Sequence, residues 1–180
     1  MNTLLIIIAA ILILIIGFAA YSGFFSKVNI TEKEVGPYML VYQEHKGDYK
    51  KSAEVMDRIY DSLLNDGGIE TYKGFGLYYD NPKTTPTENL RSDVGCILEE
   101  TDYDAVDHLK EKYSIREYPV TNAVVVEFPY RNTFSIFAGV MKVYPKLGKY
   151  RDLRGYKDVP VMEIYDIPAK RIMYIQEIIK

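Results

Sequence analysis

The chain has 180 residues, a formal net charge of −3 and an isoelectric point near 5.5, with no tryptophan and a single cysteine, Cys96. That balance offers no basic footprint for nucleic acid. One thiol closes no internal disulfide, so the fold rests on packing and suits a reducing compartment.

The first element is Leu4 to Ala20, LLIIIAAILILIIGFAA, apolar on every side and without a polar face to show water. At about 1.5 Å per residue, Thr3 to Phe25 is long enough to cross roughly 30 Å of hydrocarbon. We read residues 1–25 as a transmembrane anchor that partners a lipid bilayer through residues 4–20. A cleaved signal peptide would want a positive start and a small-x-small site, whereas Met1, Asn2 and Thr3 bear no side-chain charge and Phe18 sits two before Ala20. Asn2 stands where myristoylation needs glycine, and a buried core helix would seldom carry such a run at the chain's start. Lys27 is the first basic side chain after the span, which together with the lone thiol leans toward a cytoplasmic soluble domain. A sequon at Asn29-Ile30-Thr31 would point the other way.

Residues 26–34 read as a short connector and 35–180 as one domain. Tyr38 to His45 has the β-branched and aromatic content of a strand, and Gly47 ends it. Asp48 caps a helix whose apolar positions from Tyr49 to Leu64 recur every three or four residues, until Asp66-Gly67-Gly68 stops it. Strands follow at Lys73–Tyr79 and Ser92–Leu98, with a Thr- and Pro-rich loop between them. Thr101 to Tyr113, acidic first and basic last, reads as a short surface helix, and Ile115 to Tyr118 as a brief extended piece. Asn122–Phe128 is a further strand. Thr133 to Tyr144 is a helix, Pro145 is expected to start a second one over 146–153, and strands at Val161–Tyr165 and Arg171–Ile179 close the chain.

The order β-α-β-β therefore occurs twice, at about 35–99 and 120–180, and Tyr79-Asp80-Asn81-Pro82 echoes Tyr165-Asp166-Ile167-Pro168 at the same point of each unit. The expected fold is α+β: one antiparallel sheet with both long helices on one face, leaving the other face, or a cleft along the pseudo-twofold axis, to bind something.

Gly36-Pro37-Tyr38, Lys46-Gly47-Asp48-Tyr49 and Pro160-Val161-Met162-Glu163-Ile164-Tyr165 resemble the GyrI-like, AraC effector-binding superfamily. More narrowly, Tyr21-Ser22-Gly23-Phe24-Phe25, Tyr78-Tyr79-Asp80-Asn81-Pro82, Val94-Gly95-Cys96-Ile97-Leu98 and Phe128-Pro129-Tyr130 with Ser135-Ile136 resemble the testis-expressed single-span ER-phagy receptor family. The resemblance implies a membrane-tethered, cytosol-facing GyrI-like domain, in the ER membrane of a eukaryote or the plasma membrane of a bacterium. The receptor family's long acidic tail, which carries an aromatic motif for autophagy modifiers, has no counterpart before Lys180. Tyr150–Leu153 and Tyr60–Leu63 fit an aromatic-x-x-Leu pattern but fall in expected helices.

No catalytic constellation, cofactor motif or metal-ligand spacing emerges, and His45 and His108 stand apart on different elements. The candidate ligand-binding set is Tyr42 and Glu44 on the first domain strand, Tyr78 beside the repeated turn, and Glu163 and Tyr165 on the penultimate strand. The superfamily resemblance implies aromatic walls and a buried glutamate that hold apolar or cationic small molecules. The competing arrangement has Glu163 in solvent and the tyrosines as cross-strand pairs. A module binding a small ligand or a partner protein is the first reading; a hydrolase using a cleft glutamate as base, and a structural adaptor, are the alternatives.

Overall fold

The computed structural model describes residues 2–180 and, of Asn2, the backbone alone. The first helix, α1 (Asn2–Tyr21), exposes its side chains almost throughout, and from Thr3 to Tyr21 it is long and apolar enough to cross a membrane.

Eight strands follow: β1 (Ile30–Val35), β2 (Tyr38–Lys46), β3 (Lys73–Tyr78), β4 (Arg91–Leu98), β5 (Ser114–Tyr118), β6 (Thr121–Pro129), β7 (Val161–Asp166) and β8 (Arg171–Glu177). They form one sheet, entirely antiparallel, in the order β1-β6-β8-β7-β3-β4-β2-β5. β1 takes in residues 30–34 of the stretch read as a connector. Its backbone pairs with β6 from Ile30–Val126 to Val35–Thr121, so those residues are part of the sheet, and of that stretch only 26–29 lie between α1 and the sheet.

The order of strands dictates a curl. β1 and β2 are joined by Gly36-Pro37 alone, yet they stand first and seventh in the sheet; β5 and β6, joined by Pro119-Val120, stand eighth and second. Two such short links can be closed only if the sheet bends round until its ends meet. The concave face that results is filled by the sheet's own side chains, among them Phe75, Met162, Ile164, Ile175, Val125 and Leu40, with Val35 from one end and Tyr38 and Tyr118 from the other. That face is therefore part of the core rather than an open binding surface.

Both long helices pack on the convex face, as expected. Helix α2 (Ser52–Gly67) buries Val55, Ile59 and Leu63 against Val41, Val94, Cys96 and Leu98. A short 3-10 turn, Tyr49–Lys51, precedes it, with the Asp48 side chain accepting from the Lys50 backbone N–H. Gly68 ends it in the left-handed conformation (φ 66°), returning its N–H to Leu63 and Leu64.

Two expectations are corrected. The surface helix over 101–113 is mostly a 3-10 segment, Glu100–Ala105, followed by one turn of α-helix, α3 (Val106–Leu109). Thr101, Asp102 and Asp104 are poor helix formers whose side chains compete for backbone partners, which favours the tighter, shorter form. The break at Pro145 does not occur: α4 (Thr133–Arg154) is continuous through it. Pro145 and Met141, whose carbonyl loses its intrahelical donor, are both exposed, so water can replace the missing bond. Ser135, Ala138 and Gly139 before it and Val143 and Leu147 around it hold both halves to the same sheet. Asn132 and Ser135 form a reciprocal capping box at its start.

Candidate ligand site

The two helices leave β7 and β3 between them, and Glu163 lies there. Strand parity puts Val161, Glu163 and Tyr165 on the convex face, while Met162 and Ile164 enter the concave core. Glu163 faces Gly76 on β3 and Tyr174 on β8 across the ladder. It is 3% exposed, and among the described residues no cation lies within ion-pairing distance of it.

Both carboxylate oxygens are held by tyrosines. The Tyr144 hydroxyl, from α4, donates to Oε1 at 2.6 Å, and the Tyr165 hydroxyl donates to Oε2 at 2.8 Å. Burial raises the Glu163 carboxyl above its ordinary value, and these two hydroxyls pull it part of the way back by stabilising the anion. The same burial, reinforced by the carboxylate, pushes the Tyr144 and Tyr165 hydroxyls well above the usual phenol range.

Tyr78 closes the site. Its ring folds back over Gly76, where an added Cβ would come within 2.6 Å of the Tyr78 hydroxyl, so only glycine leaves the space it occupies. Tyr49 meets the ring edge-on at 4.8 Å, and Tyr165 and Ser52 lie beside its hydroxyl. Burial and the nearby Glu163 charge raise Tyr78 as well. Gly74, one pleat along, leaves room for Met56 of α2, whose sulfur would stand 2.2 Å from a Cβ there. The Gly74-x-Gly76 pair thus serves close approach of side chains to the sheet.

Beneath α4, Tyr174 is fully buried and its hydroxyl has no partner among the described residues; Gly139 makes the room, since a Cβ would lie 2.1 Å from that oxygen. The Tyr144 and Tyr174 rings meet edge-on at 5.8 Å. The Ser52 hydroxyl on the α2 side lies beside that of Tyr78 but meets no partner in good hydrogen-bonding geometry among the described residues. An unpaired buried hydroxyl costs about 1–3 kcal/mol. Tyr174→Phe is accordingly expected to raise stability by about 1 kcal/mol, read as a higher urea midpoint at unchanged slope.

Of the five residues read from sequence, the structure brings three together: Tyr78, Glu163 and Tyr165. Tyr42 and Glu44 stand elsewhere. Tyr42 pairs with Gly95, which pairs with Phe75, and so belongs to the concave face, where the Arg116 guanidinium stacks on its ring at 4.9 Å. Glu44, two residues on, shares that facing and is exposed at the rim. Tyr144 and Tyr174 are missing from the sequence reading. Tyr144 was legible only as one apolar position of a helix, and Tyr174 only as a member of a closing strand.

This arrangement is a buried carboxylate held by two phenol hydroxyls, with the partly buried Tyr78 ring beside it, between two helices on a curled sheet. The sequence profile of the GyrI-like small molecule binding domain matches residues 28–179. The chain belongs to that family. Among curated proteins, the GyrI-like chain is 29% identical over 156 residues to "Testis-expressed protein 264 homolog" of Mus musculus, covering 82% of this chain and 48% of that protein. It is 26% identical over 163 residues to "Testis-expressed protein 264" of Homo sapiens, covering 86% and 50%. It therefore spans about half the length of these curated relatives. Among solved structures, the EcmrR C-terminal domain is similar at a TM-score of 0.58 and 15% identity, over 85% of this chain and 98% of that one. SAV2435, solved bound to tetraphenylphosphonium, is similar at 0.55 and 10%, over 84% and 94%. These two likenesses show the GyrI-like fold.

Proposed function

We propose that the chain is a membrane-anchored binding protein whose domain captures a bulky apolar cation at the membrane surface, seated on Glu163 between α2 and α4. The single observation that carries this reading is a buried carboxylate that no cation neutralises among the described residues, walled by Tyr78, Tyr144 and Tyr165. A carboxylate in such surroundings is costly in the empty protein and gains most from a ligand that brings its own positive charge. The rings add a cation–π attraction of about 0.5–2 kcal/mol. Tyr78 and Tyr144 fill the seat in this structure, and a ligand enters by turning these partly buried rings outward. The tetraphenylphosphonium held by SAV2435 is a cation of the required character and a suitable probe.

Anchoring is the second part of the proposal. α1 is exposed along its length, which suits a lipid environment and not water. The buried, unpaired Cys96 and Lys27 just beyond the helix favour a domain on the cytoplasmic side.

Calorimetry on the detergent-solubilised full chain tests the seat. Tetraphenylphosphonium is expected to bind saturably and to raise the melting temperature, and tetraphenylborate, of the same shape and opposite charge, is expected to do neither. Equal responses to the two ions, or none to the cation, would overturn the proposal.

A further inference from the structure

Resting on the reading that α1 crosses a bilayer, we infer that the first turns of α4 and the β7–β8 turn dock on the surface of that same bilayer and fix the domain's orientation there. The chain leaving α1 is not slack. Ser22 is fully buried and its hydroxyl accepts from Asn132 Nδ2 at 3.1 Å. Arg131 Nη1 donates to the Tyr21 carbonyl at 3.0 Å, with its guanidinium over the Tyr21 ring at 5.4 Å. Lys142 Nζ donates to the carbonyls of both Phe24 and Ser26. The start of α4 is thereby clamped to the end of α1.

The surface so positioned is apolar. Phe134, Phe137 and Met141, at i, i+3 and i+7, are 52%, 52% and 68% exposed, on the side of α4 turned away from the sheet. The stripe is continuous with the anchor, because the Phe18 ring of α1 meets Phe134 edge-on at 5.2 Å. Next to it, the Tyr130 N–H donates to the Lys170 carbonyl at 2.9 Å, which brings up the β7–β8 turn with Ile167 54% exposed. Arg131 and Lys170 supply cations at the rim. Apolar side chains flanked by cations match the boundary between acyl chains and anionic headgroups. Continuity with a helix already in hydrocarbon selects the bilayer as the occupant.

The test uses the full chain in phosphatidylcholine–phosphatidylserine vesicles. An environment-sensitive thiol fluorophore is placed at Phe137→Cys or Met141→Cys; native Cys96, 2% exposed, does not compete. Glu88→Cys is the control. It lies in the loop after Tyr78, which pairs with Val161; Val161 pairs with Gln176 and Gln176 with Val124, toward the opposite end of the ladder from Pro129 and Arg171, where the anchor attaches. Emission at 137 and 141 is expected to shift to the blue and to be quenched by brominated acyl chains, with no change at 88. Protein that floats with the vesicles while both labels stay unquenched would overturn docking and leave anchorage intact. Labels shielded only as protein concentration rises would overturn docking by assigning the face to a second copy. Failure to float would overturn anchorage and docking together.

Discussion

Glu163→Gln is expected to lower tetraphenylphosphonium affinity at least tenfold, about 1.4 kcal/mol, while raising the melting temperature at neutral pH. The two effects share one cause. Glutamine keeps the volume and can still accept from one tyrosine while donating its amide to the other, so the packing beneath Tyr78 survives. What is lost is the negative charge, which a cation needs and which the empty fold holds at a cost. Burial raises the Glu163 carboxyl above its ordinary value. As pH climbs, the unfolded chain therefore releases this proton first and the folded chain retains it. The contribution of Glu163 to stability is fully present below the unfolded value and is lost as pH rises through the raised folded value. The variant carries no such loss. Its melting temperature should match that of the parent at acid pH and exceed it increasingly above the ordinary glutamate range, as thermal denaturation across pH will show. A variant less stable than the parent at neutral pH would mean that the ionised carboxylate is a net structural contributor.

The second large effect is expected at Gly95→Ala. Gly95 pairs with Tyr42 on one side and Phe75 on the other, where the sheet curls toward its closed end. A Cβ there would stand 1.9 Å from the Val41 carbonyl oxygen and 2.8 Å from the Tyr42 Cα. Both are backbone atoms of the adjacent strand, so no rotamer change can relieve the clash and β2 must move off β4. Buried Leu40 and Val41 on β2 and Ile97 and Cys96 on β4 would lose their packing together. A loss on the order of 4–5 kcal/mol is expected, enough to leave much of a marginally stable domain unfolded. Chemical denaturation of the purified variant will measure it. Gly148→Ala, with nothing within 4 Å of its added Cβ, is the matching control and should be neutral or slightly stabilising.

Much of this was legible in the sequence because it depends on local chemistry. Alternation placed Glu163 and Tyr165 on one face of a strand, and turn residues bounded β2, β3, β4 and β7 near their observed ends. Parity fixes facing within a strand but says nothing of which face meets a helix, and so Tyr42 and Glu44 could not be separated from Glu163 without the ladder. Tyr144 reaches Glu163 across 19 positions of chain. No periodicity reports that contact, because a phenol that donates to a buried carboxylate occupies the same helical position as one that packs. The curl was hidden for a different reason. It follows from Gly36-Pro37 and Pro119-Val120 joining strands at opposite ends of the sheet, which becomes visible only once the strand order is known.

A cation that sits on Glu163 must take up the ionised carboxylate, so each one bound below the raised value displaces a proton. Isothermal titration of tetraphenylphosphonium in two buffers of different ionisation enthalpy, repeated across pH, counts that proton directly. A Glu163 seat predicts release approaching one proton per cation at acid pH, vanishing as pH rises, with affinity increasing over the same interval and neither trend present in Glu163→Gln. Binding that releases no proton, at an affinity independent of pH and unchanged in that variant, would place the cation elsewhere.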